Sequence, residues 1–210
     1  MKKLAYSFGF VGLFLSCGSP VDETTTETKD TTTQVVVPEV VPEVVNSFLL
    51  ESGIVGIFKI GQPIPALPAE LNTRKSTVMV DEDGTQVEGI MHIVFNSLED
   101  VAEITMEKND AAHESDLTVT SMKVISNYYE TKDGIKIGTT LAQFKEKYPD
   151  VKLWYNGAKG EIVAETASFI SVQFIIDSES CTKTLKGTKN INLSTSNFTE
   201  EAKIQFIRVN

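Results

Sequence analysis

His92 and His113 are the only two histidines in this 210-residue chain, and histidine is the side chain most often used to move protons near neutral pH. A zinc centre needs three or four Cys, His or carboxylate ligands at close spacing, and neither histidine has that company. His92 falls on the same side of an alternating run as Ile90 and Val94, so it reads as a satisfied, partly buried histidine. His113, beside Glu114 and Asp116, reads as loop. Asp81, Asp83 and Glu88 offer oxygens to a hard cation. However, Asp81-Glu82-Asp83-Gly84 lacks the third ligand of a calcium loop and its glycine comes too early, so a hairpin turn accounts for it better. Serine is plentiful, but no nucleophile elbow, P-loop or dinucleotide fingerprint accompanies it. A hydrolase would need a pocket that joins His92 to a serine and a carboxylate. Cys181 follows the acidic run Asp177-Ser178-Glu179-Ser180, whereas a reactive thiolate needs cationic neighbours. No catalytic residue, metal or cofactor is expected.

Aromatic side chains are the other candidates. Trp154 and Tyr155, together with Tyr128 and Tyr129, are of the kind that stacks on sugar rings. Against this, Val151, Leu153 and Tyr155 alternate as a strand does, so these aromatics serve equally well to cover a core. Trp154 and Tyr155 stand as the candidate ligand contacts.

The first residues carry an address. Lys2 and Lys3 precede an apolar run, Leu4 to Leu15, that is shorter than the roughly 20 residues needed to span a bilayer. A charged start, a short apolar stretch and small residues describe a secretory signal. The end of that run, Ser16-Cys17-Gly18-Ser19, resembles the lipobox of bacterial lipoprotein precursors, and the chain is similar in this to envelope lipoproteins of Bacteroidota type. Phe14 stands where leucine is commoner. The resemblance implies removal of residues 1–16 and lipidation of Cys17 with two or three acyl chains, palmitate among them. One chain holds a protein marginally, whereas two or more anchor it stably. Gly18 after the cysteine resembles the class bound for the outer membrane; Asp22-Glu23 faintly resembles acidic surface-export signals. The expected location is therefore the cell envelope, with the periplasmic or surface face left open. If Cys17 carries lipid, Cys181 has no partner within the chain.

Residues 17–45 read as a tether. Seven threonines lie between Thr24 and Thr33, and a tandem repeat follows, Val37-Pro38-Glu39-Val40 and Val41-Pro42-Glu43-Val44. Such composition cannot bury enough apolar surface to offset its ordering entropy. As a coil it reaches about 30 Å, and about 90 Å if extended. The formal net charge of −10 argues against nucleic acid, whose binding depends on neutralising phosphates.

Residues 46–210 read as one α+β domain, mainly antiparallel β-sheet. Alternation marks strands around Ile170–Ile176, Ile204–Phe206, Leu117–Thr120 and Ile104–Glu107, and a hairpin from Val78 to Phe95 turning at Asp81–Gly84. One helix is well signalled over residues 140–148. Thr140 and Gln143 have capping-box spacing, Leu141, Phe144 and Tyr148 share a face, and Pro149 ends it. A shorter helix is expected near Leu98–Val101. Lys59-Ile60-Gly61-Gln62-Pro63-Ile64 aligns with Lys136-Ile137-Gly138-Thr139-Thr140-Leu141, and the same offset matches Leu67 to Phe144 and Leu71 to Tyr148. Two related α+β halves, 46–116 and 117–210, are the expectation; a chance match of a short apolar hexapeptide is the alternative. The segment Tyr128–Thr140 also resembles a strand, turn and helix start in poorly characterised envelope lipoproteins, which speaks to fold and address only. With an anchor, a leash and no site chemistry, the expected function is a non-catalytic module that binds an envelope protein. The alternative is a glycan or small-ligand binding module.

Overall fold

The computed structural model describes residues 48–82, 85–107 and 117–210. All fall within the unit Glu43–Asn210. The signal sequence, Cys17, the threonine-rich tether, Asp83, Gly84 and His113 lie outside the described residues. None of the described helices is long and apolar enough to cross a membrane.

Among the described residues, twelve strands and one α-helix make the fold. Strands β1 (Leu50–Glu51), β2 (Ile54–Val55) and β3 (Phe58–Lys59) form a small sheet of their own. Four longer strands follow: β4 (Asn72–Glu82), β5 (Thr85–Phe95), β6 (Asp100–Glu107) and β7 (Val119–Val124). Helix α1 (Leu141–Lys147) leads into β8 (Lys152–Asn156), β9 (Glu161–Glu165), β10 (Val172–Ile176), β11 (Ile191–Leu193) and β12 (Ile204–Val209). These last nine strands form one sheet in the order β11-β8-β9-β10-β12-β7-β6-β5-β4, every neighbour antiparallel. The fold is thus mostly antiparallel sheet with a single helix among the described residues.

The helix forms for the reasons its sequence suggests. The Thr140 side chain accepts from the Gln143 backbone N–H at 3.2 Å, and Gln143 Oε1 accepts from the Thr140 N–H at 3.0 Å. Two donors that the first turn would leave unpaired are thereby satisfied. Lys145 and Lys147 sit in the last turn, where the helix dipole favours cations. Seven residues are too few to be stable alone, so packing must hold them. Phe144 supplies it: fully buried, its ring lies 4.6 Å from Phe174 on β10 and 5.3 Å from Tyr148. Phe169 closes the cluster, 5.5 Å from Tyr148 and 5.7 Å from Phe174.

Three expectations are corrected. The helix near Leu98–Val101 is absent: Asp100 opens β6, and Asn96 Oδ1 accepts from the N–H groups of Leu98 and Glu99 at 2.8 and 2.9 Å. That asparagine-stabilised turn outcompetes a helix. Ile170 belongs to no strand and is 76% exposed; β10 begins at Val172, after Ser171 takes a positive φ of 60°. The β4–β5 hairpin is longer than Val78–Phe95 suggests, pairing from Asn72↔Phe95 to Glu82↔Thr85 and so taking Asp81 and Glu82 into the ladder.

The aligned hexapeptides form alike. Gly61 and Gly138 both have positive φ, 77° and 85°. The Gln62 N–H donates to Lys59 O and the Thr139 N–H to Lys136 O, each at 3.1 Å. Each turn then grips the first residue of a strand. Gly61 N donates to Val119 O, and Val119 N returns to Gln62 O. Likewise Gly138 N donates to Ile204 O, and Ile204 N returns to Thr139 O, all at 2.8–2.9 Å. The gripped strands, β7 and β12, pair with each other as Ile207↔Val124, Arg208↔Lys123 and Val209↔Met122. Overlaying Val119–Val124 on Ile204–Val209 maps this register onto itself, as a two-fold axis through Arg208 and Lys123 would.

Candidate functional site

The two sheet faces differ. One carries α1 and the main core, including Leu153, Ile162, Ala164, Val172, Phe174, Ile176, Ile204 and Ile207. The other is laid with long polar and aromatic side chains in a row. Register and hydrogen bonding place Lys152, Glu165, Gln173, Arg208, Lys123, Glu103, Ile93 and Arg74 side by side across eight strands.

The middle of that face is tightly connected. Arg208 Nη2 donates to both carboxylate oxygens of Glu161, at 2.8 and 3.0 Å, and Nη1 to Gln173 Oε1 at 3.2 Å. Gln173 Nε2 donates to Glu165 at 2.8 Å, and the Trp154 indole N–H donates to the other oxygen of Glu165 at 3.3 Å. The Phe206 ring lies between two cations, Lys123 Nζ at 5.0 Å and Arg208 Cζ at 5.6 Å from its centroid. Such cation–π contacts contribute about 0.5–1 kcal/mol each where exposed. Lys123 also pairs with Glu103 at 3.2 Å. Within this face Val163 and Ile175, between Trp154 and Phe206 in register, are 0% and 2% exposed although they lie outside the main core. The result is a half-buried patch that includes Trp154, Phe206, Arg208 and Lys123.

At the β8 end of the row an open groove of about 670 Å3 is lined by Asp150, Lys152, Glu165, Gln173 and Asn210 among others. Asp150 accepts from the Ala167 N–H at 2.8 Å and from the Thr166 hydroxyl. Those donors favour the charged carboxylate and hold its pKa below the ordinary value. On the core side, Tyr148 donates its hydroxyl to Asp133 at 2.7 Å, and burial together with that carboxylate pushes the phenol up to about 12. A tyrosine whose folded pKa lies above the unfolded value near 10 stabilises the fold fully below pH 10. That contribution is lost as pH rises from about 10 to about 12. Urea denaturation across this range is expected to show a fall in stability that Tyr148→Phe reduces in part, since burial raises the Tyr129 phenol as well.

Other expected site residues scatter. Trp154 and Tyr155, the candidate ligand contacts, point to opposite faces: Trp154 joins the half-buried patch, whereas Tyr155 packs against the core. Tyr129 is fully buried, edge-on to Tyr128 at 5.0 Å, and Tyr128 in turn meets Phe48 at 5.0 Å. His92 is buried, opposite Lys75 and Ile104 in register, and does not line the groove at Asp150 and Lys152. Glu88 is exposed opposite Met79. Cys181 is half-buried, its sulfur 3.7 Å from Lys183 O. Among the described residues no three metal-ligating side chains come together. Sequence reasoning missed Phe206, Arg208, Lys123, Glu161, Glu165 and Gln173. Its one available signal was cationic residues alternating with an aromatic at two-residue spacing, Phe206 and Arg208.

The chain matches no protein-family profile, and no curated protein resembles it closely in sequence. Among solved structures it is similar to the crystal structure of the uncharacterized protein yfeY from Escherichia coli, with a TM-score of 0.49 at 13% identity. That likeness covers 77% of this chain and 98% of the other.

Proposed function

We propose that this chain is a lipid-anchored envelope protein, held through acyl chains on Cys17 and carried to the outer membrane, whose globular part binds a protein partner without catalysis. The observation that carries the binding reading is the sheet face opposite α1, where half-buried Trp154 and Phe206 flank Val163 and Ile175 in one cross-strand row and Arg208 lies beside Phe206. Aromatics and arginine are the side chains that dominate protein–protein interfaces. Crosslinking in cells followed by recovery of the chain is expected to bring down one stoichiometric envelope protein. Its yield should fall about tenfold in Phe206→Ala and in Lys123→Glu, the usual scale for losing an interface anchor. Unchanged recovery with both variants, or no recurring partner, would remove this reading.

Trp154 favours a second reading, a glycan or small-ligand module, because its indole N–H donates to Glu165, which with Lys152 lines the groove. As the one tryptophan of the chain it reports unambiguously. Fluorescence that stays constant across a panel of envelope glycans would count against this second reading.

We also read the globular part as two related halves. Support comes from the matching turns at Gly61 and Gly138, the matching grip on β7 and β12, and the self-mapping register between those strands. On this pairing β7 goes with the first half, so the junction falls after Val124 rather than at 116. Nothing lies within 4 Å of a Cβ added at either glycine, so substitution there costs only the left-handed backbone. Gly61→Ala and Gly138→Ala are each expected to destabilise by about 1–2 kcal/mol. Chemical denaturation that finds one costly and the other neutral would argue against equivalent turns.

A further inference from the structure

The groove at the β8 end of the sheet face is lined by polar side chains whose positions are already fixed. Glu165 has both carboxylate oxygens engaged, one by Gln173 Nε2 at 2.8 Å and the other by the Trp154 indole N–H at 3.3 Å. Asp150 is held likewise by the Thr166 hydroxyl and the Ala167 N–H. A carboxylate has about four acceptor positions, so each can take a further donor without moving. Lys152, exposed and opposite Glu165 in register, brings an ammonium to the same groove, and its charge helps to keep Asp150 ionised. Ser171 also lines it, and among the described residues this is the one non-glycine with a positive φ, 60°. Glycine takes that backbone at less cost, and what it would lose is the hydroxyl beside the groove. Strained backbone of this kind gathers where ligands are held.

We propose, as a step that rests on the glycan reading above, that this groove binds an uncharged saccharide whose hydroxyls donate to Asp150 and Glu165 and accept from Lys152 and Ser171. Its volume of about 670 Å3 lies within the range of small-ligand pockets, about 300–1,000 Å3. Charge selects the class of ligand. Two carboxylates disfavour an anion such as a phosphate or a uronic acid, because like charges brought together are costly. A cation is disfavoured in turn, since Lys152 already answers the charge of Glu165 across the strands. A ligand without net charge, carrying many groups that both donate and accept, satisfies the carboxylates and the ammonium together. Phe169 and Val172, both buried, line the groove with carbon, against which the C–H face of a sugar ring can lie.

The test is titration of the full chain, kept in a detergent without a sugar head group, followed by Trp154 fluorescence and by calorimetry. The probes are neutral disaccharides of glucose, galactose, mannose and N-acetylglucosamine, with digalacturonate and the glucosamine disaccharide as charged counterparts. At least one neutral disaccharide is expected to bind, and the charged ones about tenfold more weakly or worse. Lys152→Met should weaken that binding about tenfold, the scale for a hydrogen bond to a charged group. Ser171→Gly should weaken it about fivefold and yet raise the urea midpoint, because glycine relieves the left-handed backbone. A higher midpoint with unchanged affinity would remove Ser171 from the site. Tighter binding of either charged disaccharide would overturn the neutral class and leave the glycan reading standing. Binding that neither variant weakens would place the sugar outside this groove and overturn the assignment. If no neutral disaccharide binds, the proposal fails, and the glycan reading falls with it only if the charged disaccharides fail to bind as well.

Discussion

Replacing Phe144 with alanine should cost about 3–5 kcal/mol of folding free energy, the range for removing a fully buried aromatic side chain. The reason is that one ring serves two functions. It fills the space between α1 and the sheet, 4.6 Å from Phe174, and it holds a helix of seven residues that has no stability of its own. Domains of this size are commonly stable by only about 5–15 kcal/mol, so the variant should sit close to its unfolding threshold at growth temperature. The measurement is a urea titration followed by circular dichroism. Phe144→Leu, which keeps most of the volume, should lose less than half as much. A loss of under about 1 kcal/mol for alanine would mean that the helix is held by contacts other than this cluster.

The second large effect concerns location. On the proposed reading, Cys17→Ala abolishes lipidation and removes the acyl anchor. An anchored chain partitions by its acyl methylenes, each contributing about 0.8 kcal/mol, and none of the described helices is built to span a bilayer. Labelling with a clickable palmitate analogue should mark the parent chain and leave Cys17→Ala unlabelled. The variant should move to the soluble fraction or accumulate unprocessed. Palmitate that persists on Cys17→Ala, or a parent chain that is soluble without detergent, would remove the lipoprotein reading and with it the envelope address. Protease accessibility on intact against lysed cells then separates the surface from the periplasmic face.

The features legible in the residue order are those set by neighbours along the chain. The helix at Leu141–Lys147 is one, because cap, apolar face and terminating proline all lie within ten residues of each other. Alternation likewise marked β6, β10 and β12, and it already implied that Trp154 and Tyr155 face opposite ways, since adjacent strand residues do. It erred at Leu98–Val101 and Ile170, where turns stabilised by Asn96 and by the positive φ of Ser171 decide the path.

The tertiary structure alone decided the strand order and register, and with them the open face. Lys123, Glu161, Gln173 and Arg208 are dispersed in sequence and meet only because β7, β12, β10 and β9 are consecutive in the sheet. No local propensity encodes that adjacency, because cross-strand pairing is settled by which apolar faces bury together. The same holds for the edge. The composition of β4 was readable from the start, but its place at the end of the described sheet is a property of the whole arrangement.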